Sequence, residues 1–218
     1  MKVIVRNARM SFNDIFEPNT AIKGGKPKFS ITAICSDDTT VKYDNSKGET
    51  ITKSHDALAN ICQHVAKEKW GKVPPKLANW AYNKADGSTT RDEYVNDDGD
   101  FWAGFDENTW YVSAGKLEKL AKNGKMTVLD QHRKPIAANS GLLFSGCYIN
   151  LIIDVYAYDN ETGKGVTASL EGVQLLRKGE PLGISNIDAE NEFDDEEMPP
   201  DQEIDTDDSD AGDASDLL

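Results

Sequence analysis

The sequence predicts a mainly β protein: a small antiparallel barrel with one long helix at about residues 54–70. Three observations lead to this prediction. Several segments alternate apolar and polar residues, as strands with one buried face do. Only one segment repeats its apolar residues at helical spacing. Strands and helices do not alternate along the chain, so the rhythm of a parallel α/β sheet is missing.

Two early strands are predicted from this alternation. Val3 and Val5 alternate with more polar neighbours over residues 2–6, and we expect a loop after them. Residues 29–35 alternate in the same way after a Gly-Gly-Lys-Pro-Lys turn at 24–28, which predicts a second strand.

The one helix is predicted between a start signal and a stop signal. Apolar residues from Leu58 to Val65 recur three and four positions apart. Ser54 is expected to cap the start of the helix, and Gly71, followed by two prolines, is expected to end it.

The later part of the folded region is predicted to contain a β-hairpin. Residues 147–156 and 166–170 alternate on either side of the polar turn at 159–163. The other elements expected here are an aromatic-rich window broken by turns at 76–112, a short helix carrying Lys116 and Lys119, a strand at 126–129 and a last strand at 173–176.

About six strands, one long helix and no βαβ unit fit an OB-fold best, that is, a small and partly open antiparallel barrel. We place this domain at residues 1–185 and a disordered acidic tail at 186–218. Residues 188–218 carry fifteen Asp or Glu and no Lys or Arg, which leaves 23 of the 38 acidic residues against all 24 basic ones in the body. This separation indicates a body that binds anions and a tail that can compete with them.

Composition predicts a soluble, cytoplasmic protein with no membrane partner. The three cysteines, Cys35, Cys62 and Cys147, are widely spaced in apolar surroundings, which is typical of buried reduced thiols. No apolar run reaches about 18 residues, and the first residues do not resemble a signal peptide.

Enzyme and cofactor motifs are missing from the sequence. It has no glycine-rich phosphate loop, no dinucleotide fingerprint and no Cys-x-x-Cys pair, so we expect neither catalysis nor a cofactor. The acidic run at 97–100 could hold a cation, yet aligned as a calcium loop around Gly99 it lacks both essential carboxylates. A solvated loop is the better interpretation. Asp154 is the one strand-embedded carboxylate that a two-metal nuclease could use.

Aromatic residues interleaved with lysines are the pattern that remains. In an extended segment Trp80 and Tyr82 would share one face. Bases of single strands stack on such faces for about 1–3 kcal/mol each, while cations follow the phosphates. The alternative is that most of these rings fill the core. The candidate DNA-binding residues are Trp80, Tyr82, Lys26, Lys28, Lys76, Lys84, Lys116, Lys119, Tyr148 and Tyr156.

The tail ends in an apolar tip, where Asp216, Leu217 and Leu218 combine charge with an anchor for a pocket on a partner protein. A tether of about thirty residues holds the tail near the body at a local concentration of about millimolar. The tail can therefore compete with DNA phosphates.

Short motifs in the C-terminal third carry a resemblance to a known family. They are Gly146-Cys147-Tyr148, Tyr156-Ala157-Tyr158, Gly165-Val166, Leu170, Val173-Gln174 and Gly179-Glu180-Pro181-Leu182. With them the chain resembles phage-encoded single-stranded DNA-binding proteins long catalogued as a domain of unknown function, closely over about 146–182 and loosely over most of 1–185. The resemblance implies an OB-fold that coats single-stranded DNA and recruits a replication protein such as DNA polymerase through its acidic tail. The tip departs from this pattern, because related tails often end in an aromatic residue.

The sequence thus predicts a non-enzymatic, sequence-independent single-stranded DNA-binding protein that protects single strands during phage replication or recombination, in the cytoplasm of the host. Two alternatives stay open. A single-strand annealing recombinase would show strong oligomerisation and strand pairing. A structure-specific, metal-dependent nuclease would lose its cleavage activity on Asp154→Ala.

Overall fold

Nine strands and one α-helix make up the described part of the computed structural model, which comprises residues 1–20, 25–44, 50–89, 92–161 and 163–183. The elements are β1 (Lys2–Asn19), β2 (Lys28–Cys35), β3 (Thr40–Asp44), β4 (Thr50–Ser54), α1 (Ala57–Trp70), β5 (Tyr82–Lys84), β6 (Trp110–Leu117), β7 (Val128–Leu129), β8 (Tyr148–Asn160) and β9 (Gly163–Arg177). None of the helices among these residues is long and apolar enough to cross a membrane.

The nine described strands form one sheet. Its main path runs β5-β6-β2-β1-β8-β9-β7, and β3 pairs with both β1 and β4. Only β7 and β9 pair in parallel among these strands. The path from β6 to β9 curls until its two ends meet, where Lys116 of β6 and Glu171 of β9 form a salt bridge of 2.5 Å. The predicted mainly β fold is confirmed, and this arrangement is that of a partly open OB-like barrel.

Strand β1 is 18 residues long, where a short strand and a loop were predicted. Its residues 3–6 pair with β3 on one edge and largely with β8 on the other, whereas residues 9–19 pair with β2. Met10 lies opposite Ala33 and Asn13 opposite Ile31, so two residues of β1 face one of β2. This is a β-bulge, which breaks the alternation of buried residues without ending the strand. The predicted loop is therefore wrong.

The helix is confirmed, with a correction at its start. Ser54 ends β4, and Asp56 occupies the N-cap position without a side-chain capping bond. At the other end Gly71 adopts a left-handed conformation, φ 75°, and its N–H donates to the carbonyl of Lys67. Glycine enters this conformation without steric cost, which explains why the helix stops where the sequence predicted.

Three further differences concern strands and turns. The hairpin of β3 and β4 was not predicted. The β8–β9 hairpin is confirmed, and the strand predicted separately at 173–176 is its continuation in β9. The predicted short helix is wrong, because Lys116 pairs with Phe29 in the sheet and Lys119 lies in a 3-10 turn.

The main core fills the inside of the curled sheet, where alternate residues of the long strands meet one face of α1. All three cysteines are buried and free, as predicted. Burial raises the pKa of Cys35 and of Cys62 to about 12. A second apolar cluster lies on the opposite side of β2 and β6. We call it the outer cluster, and it consists of Ala85, Phe105 and Tyr111, against which Ile34, Tyr94 and Phe101 pack.

Candidate nucleic-acid interface

Strand β2 presents one row of side chains away from the core. Phe29, Ile31 and Ala33 are buried, so the alternate residues point to the other side of the sheet. The pairing places Gly115 and Ser113 of β6 opposite residues of this row. We call the resulting surface the lysine–aromatic face, and it consists of Lys28, Ser30, Thr32 and Ile34 of β2, Ser113 and Gly115 of β6, and Phe12 of β1. From Lys28 to Ile34 it spans about 20 Å of extended strand.

The floor of this face is made of small side chains. The hydroxyl oxygens of Thr32 and Ser113 lie 3.5 Å apart, and Ser30 donates a hydrogen bond of 2.7 Å to Asp14. A Cβ at Gly115 would lie 2.1 Å from Cε of Lys28, so the lysine crosses β6 through the space that a side chain would fill. The floor therefore consists of short hydroxyl side chains, with the Lys28 side chain lying across Gly115.

Two aromatic rings stand at one end of the face. Phe12 and Trp102 meet edge to face, with centroids 5.3 Å apart, and they are 42% and 41% exposed. Tyr94 contacts Phe12 from the other side and packs on Tyr111 of the outer cluster. The bulge in β1 turns Phe12 outward, while the outer cluster supports the segment that carries Trp102. Each ring keeps exposed surface on which a base could stack.

Sequence reasoning missed both of these rings as candidates. Phe12 lies where a loop was expected, and Trp102 lies in a segment without strand or helix periodicity. A signal for Phe12 existed in Val3, Val5, Met10 and Ile15, which extend the apolar pattern of β1 past the bulge.

Two predicted lysines lie at the other end of the face. Lys26 and Lys28 are both exposed, and they line a cavity of about 210 Å³ together with Asn19, Thr20, Gly25 and Ser30. Ammonium groups beside small polar side chains suit the phosphates of a nucleic acid backbone. The structure thus brings these two candidates together on the same side of β2 as the aromatic pair.

Tyr82 is a correction to the predicted site. Its side chain is buried, its hydroxyl lies 2.6 Å from Nδ1 of His55, and its ring stacks on Trp110. Burial raises the pKa of Tyr82. Pairing of β5 with β6 places Tyr82 opposite the core residue Val112, so it cannot offer a face to a base. Trp80 is half-buried and packs against the main core, so the two rings do not form an exposed pair.

Four of the predicted lysines lie away from the lysine–aromatic face or are paired. Lys84 forms a salt bridge of 2.6 Å with Asp86, and Lys116 pairs with Glu171. The exposed Lys76 and Lys119 belong to neither β1 nor β2 nor β6.

The two predicted tyrosines, Tyr148 and Tyr156, point away from the core and lie over β8 and β9. The guanidinium carbon of Arg177 lies 3.3 Å from the centroid of the Tyr148 ring, and Tyr148 is half-buried. Tyr156 is exposed opposite Thr167 of β9. One face of Tyr148 is therefore covered, whereas Tyr156 remains open.

Asp154, the residue that a nuclease would need, forms a salt bridge of 2.7 Å with the amino group of Met1. Across the described ranges, no group of three or more His, Cys, Asp or Glu is placed to hold a metal ion. The predicted partner-binding residues Asp216, Leu217 and Leu218 lie outside the described residues.

The sequence matches a known protein family and a phage protein. A family model described as the single-stranded DNA-binding protein of Enterobacter phage Enc34 matches residues 1–204. A protein designated p50, from Acyrthosiphon pisum secondary endosymbiont phage 1, is 31% identical over 205 residues, which cover 94% of this chain and 98% of that protein.

Solved structures share the fold. The single-stranded DNA-binding protein of bacteriophage Enc34 in complex with single-stranded DNA aligns with a TM-score of 0.58 and 21% identity, over 84% of this chain and 89% of that one. Another structure of the Enc34 protein aligns with a TM-score of 0.56 and 19% identity, over 88% and 90% of the two chains.

The buried Tyr82 makes a testable prediction about stability. Tyr82→Phe removes the hydroxyl that bonds to His55 and leaves a buried ring nitrogen without its partner, so the free energy of unfolding should fall by about 1–3 kcal/mol. Urea denaturation followed by fluorescence measures this change. Tyr156→Phe, at an exposed hydroxyl, is the matched control and should stay within about 0.5 kcal/mol of the parent. Equal stability of the two variants would contradict the structural role of Tyr82.

Proposed function

The chain belongs to the family described as the single-stranded DNA-binding protein of Enterobacter phage Enc34, and from this premise we propose that it binds single-stranded DNA without sequence preference on its lysine–aromatic face. One observation carries the proposal: the exposed rings of Phe12 and Trp102 and the exposed residues Lys26 and Lys28 lie on one side of β1 and β2. Stacking platforms and cations of this kind bind single strands regardless of base identity.

The roles follow from the chemistry of each part. Phe12 and Trp102 would stack on unpaired bases, and Lys26 and Lys28 would hold the phosphates. The half-buried hydroxyls of Ser30 and Ser113 would offer hydrogen bonds without a fixed pattern that could select one base. The fold class supports the same face. OB-folds bind oligonucleotides across the face of the second and third strands of the barrel. In this sheet β2 and β6 follow β1 in the barrel and hold those two places. By coating the strand the protein would protect it during replication or recombination.

The acidic tail, residues 186–218, would modulate this binding. Its fifteen carboxylates can substitute for phosphates at the lysines of the face. The last described residues support this role. The backbone N–H of Leu182 donates to the carbonyl of Ser145, and a Cβ at Gly183 would lie 3.7 Å from the Cβ of Ala103, next in sequence to Trp102. The described part of the chain therefore ends beside the segment that carries Trp102.

The apolar tip of the tail would serve a different purpose. Leu217 and Leu218 add anchor area but no side-chain charge, so we assign them to the recruitment of a replication protein such as DNA polymerase. Removing the two leucines should leave the affinity for DNA unchanged and abolish capture of that protein.

The central experiment compares nucleic acids at several salt concentrations. The full chain should bind a single-stranded oligonucleotide far more tightly than the duplex of the same sequence, because only unpaired bases can stack on the two rings. Affinity should fall as salt rises, since phosphate binding releases counterions. Fluorescence anisotropy measures both effects. Equal affinity for duplex at the same salt would contradict the proposal.

The two rings can be tested one at a time. Phe12→Ala and Trp102→Ala should each weaken binding of single-stranded DNA by about 1–3 kcal/mol, the amount that stacking on one base contributes. Thermal melting confirms that the variants fold. Tyr156→Ala, which removes an exposed ring over β8 and β9, is the control. If it weakened binding more than either of the other variants, the DNA would run over β8 and not over the lysine–aromatic face.

Charge removal tests the tail. Replacing residues 188–218 by a neutral Gly/Ser segment of equal length should tighten binding of single-stranded DNA, most strongly at low salt, because the Debye length is about 30 Å at 0.01 M and about 8 Å at 0.15 M. The free tail peptide added in trans should inhibit this variant in a concentration-dependent way, which separates competition from a general change in net charge. Unchanged affinity at low salt would leave the tail without a role in DNA binding.

A further inference from the structure

A second groove lies on the outer surface of β1, β8 and β9, and it contains none of the residues of the lysine–aromatic face. Its volume is about 500 Å³. The pairing places Ile4 opposite Ile152, and Ile152 opposite Gly172, so these three residues form one row across three strands. The absence of a side chain at Gly172 deepens the floor at the end of this row.

Aliphatic side chains line this groove and remain partly open to solvent. Ile152 and Leu176 are 40% and 39% exposed. This exposure is high for large aliphatic residues in strands that are paired on both edges, as β8 and β9 are. The half-buried Leu129 lines the same groove. An aliphatic surface of this kind, bordered by polar residues, is typical of a site that binds another molecule.

One wall of the groove is held in place by backbone and side-chain hydrogen bonds. Strand β7 pairs with β9, and the N–H of Val173 donates to the carbonyl of Thr127 over 2.9 Å. The side-chain amide of Gln174 donates to the carbonyl of Asp130, and Asn150 donates to Gln174. The groove is therefore preformed and would lose little conformational entropy on binding.

The rim of the groove is positively charged. Arg6 and Arg133 line it, are exposed, and form no salt bridge with any residue in the described ranges. Glu171 is the one acidic residue among those that line the groove. Its charge is matched by Lys116. Two guanidinium groups therefore face an incoming ligand without a competing carboxylate.

We propose that this groove docks an acidic peptide segment of a partner protein, with two adjacent leucine-sized side chains in the aliphatic floor and flanking carboxylates on Arg6 and Arg133. Planar guanidinium groups bind carboxylates through paired hydrogen bonds. Nucleic acid fits this groove less well, because none of its lining residues is aromatic and bases would find no ring on which to stack. The proposal does not depend on the function assigned to the lysine–aromatic face.

The test uses the full chain and a fluorescein-labelled peptide, Gly-Ser-Asp-Asp-Asp-Leu-Leu-Asp-Ser-Gly, followed by anisotropy. Each titration is repeated on the variant whose residues 188–218 are replaced by a neutral Gly/Ser segment, so that the chain's own tail, which ends in Asp216, Leu217 and Leu218, cannot compete with the peptide. Ile152→Ser should raise the dissociation constant of the peptide at least tenfold, and so should the double variant Arg6→Gln, Arg133→Asn. Asparagine is chosen because Arg133 has a φ of 65°. Replacing the two leucines of the peptide by serine, or its aspartates by asparagine, should weaken binding to the parent chain by a similar factor.

Matched variants separate the groove from general surface effects. Leu120→Ser removes another exposed aliphatic side chain and Lys72→Gln another exposed cation, and neither residue lines the groove. Both should bind the peptide as the parent does. All variants should keep the cooperative thermal melting transition of the parent, which shows that they fold and keeps this test independent of the first proposal.

Two results would overturn the proposal. One is no saturable binding of the peptide to the parent chain, or binding that Ile152→Ser leaves unchanged. The other is displacement of the peptide by a single-stranded oligonucleotide in a manner that Arg6→Gln, Arg133→Asn abolishes, since the groove would then be a nucleic acid site.

Discussion

The hydrogen bonding of β1 on both of its edges is the constraint on which the rest of the fold depends. Its first half pairs with β3 and β8, and its second half pairs with β2. Since β2 carries β6, and β8 carries β9, the two sides of the barrel are joined through this one strand. The bulge at Ser11 and Phe12 gives β1 an extra residue in its second half, and in doing so exposes an aromatic ring.

The outward surfaces of the sheet carry two different chemistries. Over β2 and β6 the outward residues are hydroxyls and glycine between lysines and aromatic rings. Over β8 and β9 they include a row of aliphatic side chains beside two arginines. Both surfaces are built by the same alternation, with the inward residues committed to one shared core. Substitutions on one surface can therefore change its ligand without disturbing the other, so the proposed DNA binding and the proposed peptide binding could evolve separately.

The sequence predicted those features that local patterns determine. The β8–β9 hairpin follows from alternation around a polar turn, and the end of the helix follows from Gly71. The features that it missed depend on distant partners. Tyr82 looks like a surface ring until the pairing of β5 with β6 turns it inward, and Phe12 looks like a loop residue because the bulge hides the continuation of β1. Trp102 lies in a segment that is neither helix nor strand and is positioned by tertiary packing. Such a segment has no periodic pattern of apolar residues that the sequence could reveal.

The pairing of β1 with β8 also affects the order of events during synthesis. Val3 pairs with Ile153, so about 150 residues must be made after the first strand before its partner exists. At about 5–20 residues per second, this takes about 8–30 s on the ribosome. The hairpin of β3 and β4 can cover one edge of β1 during this time. The edge that later pairs with β8 stays unpaired and can form hydrogen bonds with neighbouring chains. Yield in a heterologous host should therefore depend on translation rate and chaperone supply more than on the stability of the finished fold.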